Sequence, residues 1–251
     1  MLELEIRTFI EHSVAESTGA TRYRPPLVAF VAAGDPGFAR LKSEIDPSHL
    51  LPQDILSDAR SVVSFFLPFD KAIVVANAKS DYTAREWAAA YVETNQLIDR
   101  TCAGLSELLV RHGHRSGWEM PTHNFDPVRL ISRWSHKSVG VIAGLGSFGL
   151  HQMVITDAGC AGRFGSLVTT AALAPTAAPA ERIERCRYQI DGSCRVCVER
   201  CPVGALRVDG FDRALCYERC LAVDRYFSDL GLTDVCGKCA TGPCALRSAV
   251  R

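Results

Sequence analysis

Residues 1–17 place Leu2, Ile6, Phe9 or Ile10, and Val14 at three-to-four spacing, which predicts an amphipathic helix. Leu27–Ala33 is a short unbroken apolar run and reads as a buried strand, ended by the turn formers Gly34-Asp35-Pro36-Gly37. Ser61–Leu67, rich in Val and Phe and stopped by Pro68, predicts a second strand. Between 83 and 112, Trp87, Tyr91, Ile98, Cys102, Leu105 and Leu109 share one face of the longest predicted helix, with Gly113 as its stop. Cys102 lies on that stripe and reads as a core thiol.

Asp126-Pro127 has the form of an N-cap and first-turn proline, predicting a helix through about Lys137. Val139–Ala143, Met153–Thr156 and Gly165–Leu173 then read as strands joined by tight turns. The Pro/Ala stretch Ala174–Ala180 is the best boundary, dividing a core of residues 1–180 from a segment of residues 181–251. No repeat of fixed period is present.

Composition narrows the class. The 251 residues are 47% hydrophobic and 22% charged, with 28 Lys+Arg against 28 Asp+Glu. That excludes a disordered chain and a strongly basic nucleic-acid binder. No apolar run reaches the roughly 18–20 residues of a membrane helix. The first residues lack the layout of a secretory signal, so a cytoplasmic protein without membrane contact is expected.

Cysteine changes the picture. Of 11 cysteines, only Cys102 and Cys160 precede residue 181. A reducing compartment and an odd total argue against disulfides, and the spacing suits structural zinc poorly. Cys194-Arg-Val-Cys197-Val-Glu-Arg-Cys201-Pro202 matches the tail of the bacterial two-cluster ferredoxin run, whose fourth Cys serves the other cluster. Cys236-Gly-Lys-Cys239, followed by Cys244, repeats the pattern with a longer last step. Asp191 stands where the run would have its first Cys, and Cys186 is the substitute. The expected ligand sets for two 4Fe–4S clusters are Cys186, Cys194, Cys197 and Cys244, then Cys201, Cys216, Cys236 and Cys239. Cys220 is left over, or replaces Cys216.

Gly144-Leu145-Gly146-Ser147-Phe148-Gly149 fits the dinucleotide G-x-G-x-x-G pattern. Such a site also needs a following helix and an acidic residue about 20 positions on. Met153–Thr156 reads as strand and no carboxylate stands near residue 165, so NAD is not expected. The run is either a tight turn between strands or a backbone that approaches another flat or anionic cofactor.

The stretch Ser135–Gly149, then Met153–Thr156 and Gly162-Arg-Phe-Gly165, followed by the cysteine pattern, resembles the epoxyqueuosine reductase family, with a motif order shared by reductive dehalogenases. The likeness runs from about Asp126 to Cys244. It implies an α/β (α+β), nitroreductase-like, cobalamin-binding core and a small C-terminal ferredoxin-like domain with two 4Fe–4S clusters. Gly144, Leu145, Gly146, Ser147, Phe148, Gly149 and His151 would meet the corrinoid. Asp126 and His136 are the candidate catalytic groups, with Lys137 nearby. Each also reads as a helix cap, surface or loop residue, and Cys160 reads as a structural turn thiol.

The sequence departs from that family in having Leu150 where a Lys is usual, and in the spacing of Asp126 from the glycines. It ends seven residues past Cys244, without the helical repeat that helps many members hold tRNA, and it carries no net positive charge. The expectation is a short-form, cobalamin-dependent oxidoreductase acting on a small molecule rather than tRNA, fed by a low-potential ferredoxin or flavodoxin. A non-catalytic electron carrier and a flavin-dependent reductase on the same core are the alternatives.

Overall fold

The computed structural model describes residues 2–176 and 183–250. The boundary expected at 180, and the end of the Pro/Ala stretch before it, lie outside the described residues.

The chain opens with α1 (Leu2–Ala15), β1 (Leu27–Ala32), α2 (Pro36–Glu44), α3 (Pro52–Ile55), β2 (Ser61–Pro68), α4 (Lys71–Lys79) and α5 (Arg85–Arg111). Short strands β3 (Ser116–Gly117), β4 (Phe125–Asp126) and β5 (Ile131–Ser132) precede α6 (His136–Ile142), β6 (Gly146–Phe148), β7 (Val154–Thr156) and β8 (Gly162–Thr169). The cysteine-rich segment contributes α7 (Arg187–Asp191), α8 (Val196–Glu199), α9 (Arg213–Tyr226) and two short 3-10 turns.

The main sheet has the order β1-β2-β8-β3 and is antiparallel throughout. Its central strand β2 is buried at every position, which explains an unbroken Val/Phe run instead of alternation. Ile6, Ile10, Ile98, Leu105 and Leu109 of α1 and α5 pack with Val63, Phe65 and Leu167 on one face. Phe38, Trp134 and Val139 cover Val31, Val62 and Val168 on the other. Cys102 sits in the first of these clusters, 1% exposed, as its place on the helical stripe predicts.

Three local expectations fail. The Asp126-Pro127 pair opens no helix: Asp126 Oδ1 accepts from the amides of Val128 and Arg129 at 2.8 and 2.9 Å, closing the β4–β5 hairpin. Proline presets φ for a turn as well as for a first helical turn, so the dipeptide fits both. The opposite error falls at Asp35-Pro36, which reads as a turn but caps α2 through a 2.7 Å bond from the Gly37 amide. Val139–Ala143 lies in and just after α6 instead of forming a strand, because Ser135 caps that helix through the Ser138 amide. Short apolar runs do not separate the two states by period alone.

Consequently the glycine run is not one turn between strands. Gly144, at φ +83°, stops α6, and Gly146–Phe148 pairs with Val154–Thr156.

Candidate functional site

Two elements of the core grip the cysteine-rich segment. At the α4–α5 junction the buried Asn77 donates to the Cys236 carbonyl at 3.2 Å and accepts from the Ala84 amide at 3.0 Å. Lys238, also buried, donates to the carbonyls of Asn77 and Ser80. The second grip is the turn between β7 and β8, where the amides of Cys160 and Ala161 donate to the carbonyls of Cys244 and Ala245 at 2.9 and 3.0 Å.

The thiols fall into neighbouring groups. Burial pushes the Cys197 thiol up to about 11, and the charges of Cys244, Cys186 and Cys194 act on it in the same direction. Cys239 is raised by burial and then by Cys236, Cys216, Cys197 and Cys201, so Cys197 stands within reach of both groups. Cys216 and Cys220 lie one turn apart on α9 and share a hydrogen bond, which draws Cys216 down to about 7 and pushes Cys220 up. The Leu206 amide donates to Cys201 Sγ at 3.4 Å.

A cavity of about 480 Å³ separates the core from this segment. Cys201, Cys216, Cys220, Cys236 and Cys239 line it together with apolar surface from Trp87, Trp134, Met153 and Phe164. None of Cys186, Cys194, Cys197 and Cys244 lines it, so the two groups differ in their distance from the space.

The residues singled out in the sequence are placed unequally. His136 lines the cavity and is 7% exposed, but both ring nitrogens are engaged: Nδ1 with Ser166 Oγ at 2.8 Å, Nε2 with the Met120 carbonyl at 3.1 Å. A carbonyl only accepts, so Nε2 carries the proton and Nδ1 takes the Ser166 hydroxyl. Burial lowers its pKa to about 4, keeping the ring neutral. Asp126 does not line the cavity, and its carboxylate holds the hairpin. Gly144, Leu145, Gly146, Ser147, Phe148 and Gly149 are likewise absent from the lining. The Ser147 hydroxyl instead accepts from the Arg185 amide at 3.1 Å.

Lys137 and His151 do face the cavity. Burial draws the Lys137 ammonium down, while the sulfurs of Cys239 and Cys216 work against that shift. His151 Nε2 lies 3.3 Å from Cys244 Sγ.

Sequence reasoning missed a polar chain across the cavity. The Tyr91 hydroxyl donates to Asp234 Oδ1 at 2.7 Å and stands 2.9 Å from Thr122 Oγ1, while His123 Nε2 meets Asp234 Oδ2 at 3.2 Å. Burial pushes the Tyr91 phenol up to about 12, so it stays protonated. Tyr91 also lies under the Arg163 guanidinium, 4.3 Å from the ring centroid. Among the described residues, the buried Nε atoms of Arg163 and Arg219 have no hydrogen-bond partner, and both residues line the cavity. The helical stripe explains Tyr91 as a core residue, and nothing local marks its hydroxyl. Cys160, read as a turn thiol, lies with His151 and Cys244 so that their ligand atoms are within 4.8 Å of one another.

No helix among the described residues is long and apolar enough to cross a membrane. No family model matches the chain, and no curated protein matches it either. Solved structures do. The chain superposes on epoxyqueuosine reductase from Streptococcus thermophilus with a TM-score of 0.59 at 17% identity, over 97% of this chain and 66% of that one. The Bacillus subtilis enzyme, with its catalytic aspartate loop swung out of the active site, gives 0.59 at 17% identity over 98% and 66%. An epoxyqueuosine reductase with an epoxyqueuosine-modified tRNA-Tyr stem loop gives 0.60, again at 17% identity over 98% and 66%. The fold is therefore the mixed α/β fold of these enzymes over nearly the whole chain, which spans just under two thirds of their length.

Proposed function

We propose that this chain is an iron–sulfur oxidoreductase in which the cavity holds a corrinoid beside one of two 4Fe–4S clusters, and that it reduces a small molecule. The observation that carries the reading is the cavity itself, whose lining combines five cysteines with aromatic core surface. Residues 1–180 would form the nitroreductase-like cofactor core, and residues 181–251 the ferredoxin-like domain.

The donor set suits the clusters: two groups of soft thiolates, within one fold, separated by the reciprocal Cys201-Pro202 step. Cys201, Cys216, Cys236 and Cys239 would hold the inner cluster, and Cys186, Cys194, Cys197 and Cys244 the outer one. The unmet donors on Arg163 and Arg219 suit the amide or phosphate acceptors around a corrinoid. When bound there, cobalamin supplies two-electron reducing chemistry that no side chain performs.

The protein's own groups have separate tasks in this reading. The Tyr91 hydroxyl holds a proton at the cavity wall, and His123 connects it toward solvent through Asp234. Lys137 offsets the negative charge of the inner thiolates. His136, with both nitrogens engaged, ties the 120-region loop to β8. A low-potential cytoplasmic donor of the ferredoxin or flavodoxin class would reduce the outer cluster.

Anaerobic protein should contain about eight iron and eight sulfide per chain. Added cobalamin should bind stoichiometrically with a shift of its corrinoid absorption bands. Bound flavin would make the protein a flavin-dependent reductase instead, and binding of neither would leave an electron carrier. Zinc without sulfide would end the redox reading.

A further inference from the structure

Cys244 is met from the core by two side chains that the cysteine pattern leaves out. His151 Nδ1 lies 3.1 Å from the Met153 amide nitrogen. A backbone amide has only a hydrogen to offer, so Nδ1 presents its lone pair and the imidazole proton sits on Nε2. That Nε2–H points at Cys244 Sγ across 3.3 Å. From the other side, the buried Cys160 Sγ lies 3.9 Å from Cys244 Sγ and 3.8 Å from the Ala240 carbonyl. This separation is almost twice a disulfide bond; the single Cys160 proton has the Ala240 carbonyl and Cys244 Sγ as acceptors, and an ionised Cys244 is the stronger of the two.

The surrounding backbone is shaped to keep this contact. Hydrogen bonds from the amides of Cys160 and Ala161 to the carbonyls of Cys244 and Ala245, at 2.9 and 3.0 Å, tie the two segments together. Gly159 has φ +82°, and a Cβ there would overlap the Ala245 carbonyl oxygen and the Arg247 amide. The turn therefore admits the 244–247 backbone only with glycine at 159.

We infer that His151 and Cys160 are positioning residues that set the reduction potential of the outer cluster through Cys244. This rests on the iron–sulfur reading above. Hydrogen bonds to a ligating thiolate stabilise the more negative, reduced cluster and raise its potential. His151 also lines the cavity, so one imidazole joins the outer thiol group to a space that none of its cysteines reaches.

The test uses the full chain, purified anaerobically, with cluster potentials followed by electron paramagnetic resonance. His151→Phe and Cys160→Ala should each move one cluster to more negative potential and leave the other unchanged, with iron and sulfide at wild-type levels. His151→Gln and Cys160→Ser, which keep a donor, should restore most of the shift. Unmoved potentials in clusters of full iron content would overturn the inference and leave the iron–sulfur reading standing. Loss of about four iron in Cys160→Ala would make Cys160 a ligand instead of a donor and would also overturn it. One zinc per wild-type chain, lost in both His151→Phe and Cys160→Ala, would show a mononuclear site and do the same. Wild-type protein free of iron and sulfide would remove the reading itself.

Discussion

Gly237 lies on the indole of Trp87 so closely that a Cβ at 237 would overlap the ring, and its φ of +69° is left-handed. The glycine between Cys236 and Cys239 thus meets a core residue whose helix also carries Tyr91. Gly237→Ala should meet two penalties: about 1–2 kcal/mol for the backbone conformation, and the displacement of a 4% exposed indole. The expected outcome is a loss of more than about 2 kcal/mol in denaturant unfolding, together with about four of eight iron atoms. Wild-type stability and iron content would mean that the loop does not need this contact.

His136 gives a pH dependence of definite sign. Its folded pKa of about 4 lies below the ordinary 6.5 because the ring is buried, so the unfolded chain binds its proton first as pH falls. The stabilisation from the neutral buried ring is complete above about 6.5 and is lost as pH drops toward 4. Its full size is on the order of 3 kcal/mol. Urea midpoints measured between pH 7 and 4 should fall more steeply for the wild type than for His136→Gln. Parallel slopes would show that another group carries the acid sensitivity.

The long strands and the long helix were legible because hydrophobic pattern and burial agree there: the unbroken apolar run of β2 is buried on both faces, and the part of the helical stripe from Leu97 to Leu109 covers the sheet. The region between Asp126 and Gly149 was not. Asp-Pro serves a helix at 35–36 and a hairpin at 126–127, and only tertiary surroundings decide between them. Likewise α4, capped by Asp70 through the Ala72 amide, begins only three residues after the apolar run of β2. The cysteine spacing pointed to a thiol-rich site. It said nothing of Tyr91, Asp234 and His123, which come from three distant parts of the chain.

Removing the Tyr91 hydroxyl separates its two roles. Tyr91→Phe leaves the Asp234 carboxylate, 4% exposed, with His123 but without its phenol donor. A loss of about 1–2 kcal/mol in stability is expected. If the phenol supplies the proton, turnover of a reducible substrate should fall about 10²–10⁴-fold. Reduction of the clusters by dithionite should be unaffected. A variant with wild-type turnover would restrict Tyr91 to packing.

Cys216 and Cys220 face each other along α9, and only one is needed to complete the inner set. Their hydrogen bond lowers Cys216 to about 7 against the opposing effect of burial, and the Lys137 charge favours its thiolate. The same bond and burial push Cys220 up. The Lys137 charge acts on Cys216, so Cys216 is the member of the pair assigned to the inner cluster, which binds its iron through thiolates. Cys216→Ser should lose about four iron per chain while Cys220→Ser keeps all eight. Cys194→Ser, in the outer group, should lose about four without disturbing the inner cluster's resonance. The reverse result for the α9 pair would make Cys220 the ligand, with Cys216 one helical turn away as its hydrogen-bonding neighbour.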